Sequence, residues 1–339
     1  DEARQRLELF QRLEGNPQAR SAEFVYTRMG EKAELVPAGP DITAAAIAPR
    51  PEGPLFEPPR AILASAADGD EPAPVVLAAD RPAPAIVAAD LDGDGRTDLL
   101  LPGAGPELPD GRRGMLVLMR DGDDWRIDAA GPLATVGGVR TVLVGDLDDD
   151  GRSDAYLLRR GGNVLLMSDP EAPGGWRDAT ERSATAGGKF DSVDGAMVDA
   201  DHDGDLDIIV VNADGPDELF SHDGDGVYRS LGATAGLAAS TDGSRSVIVD
   251  DIDADRDLDI IIVRDEGALV LRNDRLWAWE PSTAFASLGA APILGAVSAD
   301  ADADGRAEIM ALGLDGAVRR WSAEEDWSDL PPTAADLDA

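Results

Sequence analysis

The sequence predicts an all-β repeat fold: a β-propeller of about six four-stranded blades, with seven as the rival count. Three observations carry the prediction. A nine-residue pattern, D-x-D-x-D-G-x-x-D, occurs five times with minor variation. Its copies begin at 90, 146, 199, 251 and 300, in steps of 56, 53, 52 and 49 residues. A period near fifty marks one supersecondary unit per repeat. Each copy also lies between two short apolar runs of strand length.

In chain order, residues 1–37 differ in kind from the rest. Glu2–Glu14 places Leu7, Phe10 and Leu13 on one helical face, with Gly15 following as a C-cap. Asn16 and Pro17 then give an N-cap and a first helical residue. Val25 and Met29 lie four apart before Gly30. The expectation is a short helical hairpin. The alternative is that Phe24–Arg28 and Ala33–Val36 are strands that help close the propeller. Residues 38–84 hold ten prolines and two mostly apolar runs, Ile42–Ala48 and Ala61–Ala66, and read as a degenerate blade without metal. Asp68-Gly69-Asp70 resembles a decayed loop, but Pro72 and Pro74 stand where its next strand would begin.

The repeats proper start near 85, 139, 193, 245 and 293 within a propeller expected over 38–330. Ala85-Ile86-Val87, Thr141-Val142-Leu143-Val144, Ala196-Met197-Val198, Val247-Ile248-Val249 and Ala296-Val297 lead into the loops. Leu99-Leu100-Leu101, Tyr156-Leu157-Leu158, Ile208–Val211, Ile260–Val263 and Ile309-Met310 lead out. Continuous apolar runs, many β-branched, predict strands buried on both faces. Asp121-Gly122 between Gly114–Met119 and Trp125–Ile127 reads as a hairpin, because such turns need positive φ. Asp223–Gly226 between Glu218–Phe220 and Val227-Tyr228 reads the same way. So does Asn273-Asp274 between Ala268–Leu271 and Leu276-Trp277. Four strands per fifty residues is a propeller blade. Residues 331–339 are a tail.

The loops carry the chemistry. Their candidate ligands are Asp90, Asp92, Asp94, Arg96 and Asp98; Asp146, Asp148, Asp150, Arg152 and Asp154; Asp199, Asp201, Asp203, Asp205 and Asp207; Asp251, Asp253, Asp255, Asp257 and Asp259; and Asp300, Asp302, Asp304, Arg306 and Glu308. Positions 1, 3 and 5 alternate and aim carboxylates at one point. Position 7 offers its backbone carbonyl, and position 9 closes the cage. Six to eight oxygens suit a hard divalent ion, calcium best, so about four or five Ca²⁺ are expected. Gly at position 6 permits a left-handed turn. Arg256 replaces it in the fourth copy at a cost of roughly 1 kcal/mol, with Asp250 placed to pair with it. An EF-hand is excluded, since it needs flanking helices and a Glu at position 12.

These loops resemble the calcium-binding blades of FG-GAP and VCBS-type β-propellers, the class that includes the integrin α-subunit head. Glu218–Ala238 (ELFSHDGDGVYRSLGATAGLA), with Trp176-Arg177-Asp178-Ala179-Thr180, is similar to the repeat of bacterial relatives of cartilage acidic protein. The resemblance covers roughly residues 85 to 325. No Phe-Gly dipeptide precedes the loops, which favours the VCBS-like branch. The resemblance implies calcium binding and the propeller class, and is not specific for function.

Composition bounds the rest. The chain has 339 residues and a formal charge of −37. The five loops hold 23 of its 67 acidic residues; the remaining 44 face 30 basic ones. Such acidity disfavours nucleic acid and anionic membrane as partners. There is no Cys, hence no disulfide, zinc–thiolate site or thiol nucleophile. No run of eighteen apolar residues offers membrane insertion. The chain begins with Asp1 rather than Met, read as a segment of a longer chain. Weak multi-site loops fill in millimolar calcium, so a secreted, periplasmic or surface-displayed protein is expected.

The resulting expectation is a non-enzymatic, calcium-stabilised binding, adhesion or scaffold module for a protein or glycan. The alternative is a polysaccharide lyase or hydrolase on the same scaffold. His202 and His222 are the two histidines; both read as surface residues. Trp277 and Trp279 share a strand face, and Trp321 and Trp327 end the last repeat; they read as inter-blade packing, with a sugar-stacking or protein-binding platform as the alternative.

Overall fold

The computed structural model describes residues 85–322 and 328–329, apart from 223, 225, 233–235, 238–242, 274–278 and 302–305. Expectations for residues 1–84, Trp277, Asp302, Asp304, Trp327 and the tail lie outside these. The chain separates into Asp1–Ala61 and Ile62–Ala339, and every described residue belongs to the second unit.

The described residues of that unit form five four-stranded antiparallel sheets, each a meander in strict sequence order. Sheet 1 comprises β1 (Val87–Ala89), β2 (Asp98–Glu107), β3 (Arg113–Asp121) and β4 (Asp124–Asp128). Sheet 2 comprises β5 (Val139–Gly145), β6 (Asp154–Arg159), β7 (Val164–Ser168) and β8 (Trp176–Asp178). Sheet 3 comprises β9 (Ser192–Val198), β10 (Asp207–Asn212), β11 (Glu218–His222) and β12 (Tyr228–Ser230). Sheet 4 comprises β13 (Ser244–Asp250), β14 (Asp259–Arg264), β15 (Gly267–Arg272) and β16 (Glu280–Pro281). Sheet 5 comprises β17 (Ile293–Ala299), β18 (Glu308–Gly313), β19 (Val318–Trp321) and β20 (Ser328–Asp329). Among the described residues, helix is confined to short turns such as Pro132–Thr135 and Thr180–Ser183. None of the described helices is long and apolar enough to cross a membrane.

The second strands explain the apolar runs. Every residue of β10 is buried. Side chains alternate across a strand. Ile208 and Val210 therefore enter a core shared with Tyr156, Leu158 and Leu165 of sheet 2. Ile209 and Val211 enter one shared with Ile260, Ile262 and Leu271 of sheet 4. β14 repeats the arrangement, turning Ile261 and Val263 toward Ile309, Ala311 and Trp321 of sheet 5. Each fully buried aliphatic side chain contributes about 1.5–3 kcal/mol. A strand fed from both faces has no use for polar alternation.

The first strands of successive sheets lie against one another, from β1 to β5, β9, β13 and β17. Polar links join them. Asp194 accepts the Val247 N–H at 3.1 Å. Asp191 is held by both Arg140 and Arg160 at 2.9 and 3.0 Å. Asp250 accepts the Ser298 hydroxyl at 2.6 Å and the Asp251 N–H at 2.9 Å. This corrects the expected pairing of Asp250 with Arg256: the carboxylate serves the neighbouring sheet instead.

In sheet 4 the fourth strand is Glu280–Pro281, paired with Leu271 and Arg272; the expected Leu276-Trp277 lies outside the described residues. Trp279, directly before this strand, is 5% exposed, inside the core between sheets 3 and 4.

Candidate metal centres

Each acidic loop joins the first strand of its sheet to the second, so the loops of sheets 1 to 4 recur at the same place in each meander. Their backbone is set by the first carboxylate. Asp146 accepts the N–H of Asp150 at 3.0 Å and of Gly151 at 2.9 Å. Asp90, Asp199 and Asp251 do the same for positions 5 and 6 of their own loops. The fifth carboxylate then takes the N–H of position 7, as Asp94 does for Arg96 at 2.8 Å and Asp203 for Asp205 at 2.9 Å. Arg96 and Arg152 fold their guanidinium groups back onto Asp94 and Asp150. Asp257, at the same position of the fourth loop, gives its N–H to Asp255.

Position 6 is left-handed in all four loops, with φ of 80° at Gly95, 84° at Gly151, 99° at Gly204 and 75° at Arg256. Arg256 thus adopts the glycine conformation without being glycine. Position 4 is left-handed as well: Gly93 has φ 76°, Asp149 56°, His202 62° and Ala254 62°. Sequence reasoning missed this second reversal, because only one of the four residues is a glycine.

Carboxylate oxygens converge in each of these loops. Asp90, Asp92 and Asp94 offer ligand atoms within 4.8 Å of one another, as do Asp199, Asp201 and Asp203, and Asp251, Asp253 and Asp255. In the second loop the group is Asp146, Asp148 and Asp154. The third position feels the crowding. Burial, and then the neighbouring carboxylates, hold Asp92, Asp148, Asp201 and Asp253 above the usual carboxylate range. Asp253 Oδ1 is buried with no hydrogen-bond partner. An all-oxygen, acceptor-only set with an orphaned buried oxygen fits a hard cation such as calcium.

The ninth residue does more than close a cage. Asp98, Asp154, Asp207 and Asp259 are fully buried. One oxygen of Asp154 accepts the Leu147 N–H at 2.9 Å; the other accepts the Ser168 N–H at 2.8 Å. Asp98 brackets Leu91 and Arg120, Asp207 brackets Ala200 and His222, and Asp259 brackets Ile252 and Asn273. Each of these carboxylates ties the loop to the end of the third strand. Burial pushes Asp154 up to about 6 and Asp207 and Asp259 to about 7. In the fifth loop Glu308 accepts the Ala301 N–H at 2.8 Å. Asp302 and Asp304 lie outside the described residues.

Neither histidine is a simple surface residue. His222 is 4% exposed, its ring stacked on Tyr228 at 4.6 Å with Nε2 accepting the Gly226 N–H. His202 Nε2 lies 3.4 Å from Asp257 Oδ1, so the side chain leans from the third loop onto the fourth. A regular spacing was available for part of this. Trp125, Trp176, Tyr228 and Trp279 recur in steps of 51, 52 and 51 residues. The first three pair with Arg120, Ser168 and His222, whose N–H groups the ninth carboxylates hold, and Asp259 holds Asn273 in the same way.

A repeated meander with an acidic loop after its first strand defines a class of repeat protein. Residues 199–262 and 251–311 match the FG-GAP-like repeat. The chain carries FG-GAP-like repeats at these two positions, spanning the third and fourth loops and β18. No curated protein matches. Among solved structures, an Agrocybe aegerita lectin that recognises non-reducing terminal N-acetylglucosamine is 18% identical with a TM-score of 0.46. That alignment covers 72% of this chain and 65% of the lectin, a little under two thirds of its length. A Burkholderia pseudomallei lectin is 14% identical with a TM-score of 0.47, covering 74% of this chain and 70% of that one. The Photorhabdus luminescens Tc holotoxin pore is 17% identical with a TM-score of 0.33, over 75% of this chain and 11% of that one.

Proposed function

We propose that this chain is a calcium-stabilised β-propeller of about six blades that acts without catalysis as a binding or adhesion module. Its partner is a protein or a glycan, met outside the cytosol. The observation that carries the reading is the recurrence of one carboxylate arrangement after the first strand of four consecutive sheets. Like charges gathered this closely disfavour the folded state until a cation is bound. In this reading Asp90, Asp92, Asp94 and Asp98 hold one ion, and the corresponding residues of the other loops hold theirs, with position 7 contributing its carbonyl. The ion supplies charge neutralisation and a fixed loop. With each site filled a hundredfold above its dissociation constant, each ion adds about 2.7 kcal/mol. The non-catalytic part is supported by the histidines, one buried under a tyrosine ring and one wedged between loops.

The test is thermal unfolding with calcium and with chelator, together with calorimetric counting of bound ions. Four or five ions and a large fall in Tm on chelation are expected. Asp148→Ala is expected to lower the count by one. No bound calcium and no shift would overturn the reading.

A further inference from the structure

The clefts between adjacent sheets repeat as the loops do, and one is open. Between sheets 1 and 2 lies a cavity of about 280 Å³ bordered by Leu91, Met119, Arg126, Asp128, Ser168 and Trp176. Between sheets 2 and 3 lies its counterpart of about 120 Å³. The walls correspond by register. Met119 pairs with Arg126 in sheet 1 as Met167 pairs with Arg177 in sheet 2. From the following sheet, Ser168 paired with Trp176 corresponds to His222 paired with Tyr228.

The differences grade the clefts from open to closed. Between sheets 3 and 4 the Asn273 amide reaches across to the Ala200 carbonyl at 2.9 Å, and Trp279 is buried. Between sheets 2 and 3 the His222 ring covers Tyr228, and Ala179 stands where the first cleft has Asp128. Only at Trp176 is the cross-strand partner as small as serine. In sheet 1 the same position, Arg120, lies over Trp125 at 5.7 Å from the ring centroid. Ser168, the smallest of these partners, places no large side chain over half-buried Trp176, and both border the cleft.

We propose that this cleft binds a single neutral pyranose ring, the terminal sugar of a glycan. The proposal rests on the glycan side of the binding-module reading. A flat apolar wall is given by Trp176 and Met119. Donors and acceptors converge on it from Arg126, Ser168 and Asp128, of which Asp128 uses one oxygen for the Ala130 and Gly131 N–H groups and keeps the other. Arg126 makes no ion pair among the described residues. Asp128 and Arg126 line the cleft with opposite charges, so net charge selects neither an anion nor a cation. A neutral ligand with an apolar face and a polar rim satisfies every wall. A cavity of about 280 Å³ gives room for a ring-sized ligand.

The test uses the calcium-loaded protein and the methyl glycosides of glucose, galactose, mannose, fucose and N-acetylglucosamine, read by tryptophan fluorescence. Saturable quenching by at least one sugar is expected. Ser168→Arg, which places over Trp176 the side chain that sheet 1 carries over Trp125, is expected to weaken binding at least about tenfold, or ~1.4 kcal/mol. Its calcium-dependent Tm should stay unchanged, which shows that the variant is folded. Asp128→Asn is expected to weaken binding without touching the aromatic wall. Sugar binding that persists in Ser168→Arg overturns this site and leaves the glycan reading standing. Absence of binding both to the glycosides and to a panel of immobilised oligosaccharides overturns the site and the glycan reading together, leaving a protein partner.

Discussion

Ala254 and Arg256 sit in left-handed backbone that glycine adopts without steric penalty. Replacing either with glycine is expected to stabilise the protein by about 1 kcal/mol. Denaturant unfolding checks this, and an unchanged midpoint in both variants would mean the strain is absorbed elsewhere. Asp149 at the same place should gain less, because Asp tolerates this region. Asp217 tests a different physics. Burial raises its carboxyl to about 6, while its oxygens accept the Asn212 N–H and the Ser244 hydroxyl at 2.9 and 2.8 Å. A folded pKa above the unfolded value favours folding when the group is protonated. That contribution is complete below about pH 4 and is lost as pH rises through 6. Asp217→Asn keeps an acceptor for Asn212 and turns its NH₂ toward Ser244. It is expected to raise stability at pH 8 by about 1 kcal/mol or more, with no gain near pH 4. Unfolding curves at both pH values decide it.

At the scale of the element, the unit is a hairpin clamped by one buried carboxylate. Asp98 joins the loop at Leu91 to β3 at Arg120. In Asp98→Asn the amide oxygen satisfies one of these N–H groups and its NH₂ faces the other. A loss of about 1–3 kcal/mol is expected, since a buried donor is left unpaired. Hydrogen exchange at the Leu91 and Arg120 amides should rise before that of the rest of the sheet; uniform exchange would refute the clamp. The strands were legible beforehand because a doubly covered strand such as Ile208–Val211 can only be written in apolar residues. The aspartates were legible as a pattern, yet their division of labour was not. Which N–H groups Asp98 and Asp154 serve depends on where β3 and β7 end, and periodicity does not say. The cleft beside Trp176 joins residues some fifty positions apart and becomes visible only once the sheets stand side by side.

At the scale of the whole molecule, charge decides the outcome. Over a third of the acidic residues lie in five loops, within a chain of formal charge −37. Without calcium, like-charge repulsion there is screened by added salt, so the Tm of the chelated protein is expected to climb with sodium chloride. With calcium bound, the repulsion is already neutralised, and the slope against salt should be much shallower. Equal slopes would show that the loops are not where the destabilising charge resides. The cores between sheets are continuous across neighbours, from Ala155 and Leu157 on one side of β6 to Tyr156 and Leu158 on the other. Sheets 2, 3 and 4 are each held by a neighbour on both sides, whatever the state of their loops.

The arginines at the seventh loop position bear on how long such a molecule survives. Arg96 and Arg152 are exposed, each hooked to the aspartate two residues before it. A trypsin-like protease cuts after arginine, but only in chain that can be drawn out into its cleft. An ion that stiffens the loop also conceals the scissile bond. Ambient calcium would then set the protein's lifetime among digestive enzymes. When the ion is withdrawn, cuts between consecutive loops would release fragments close to the repeat length of about fifty residues.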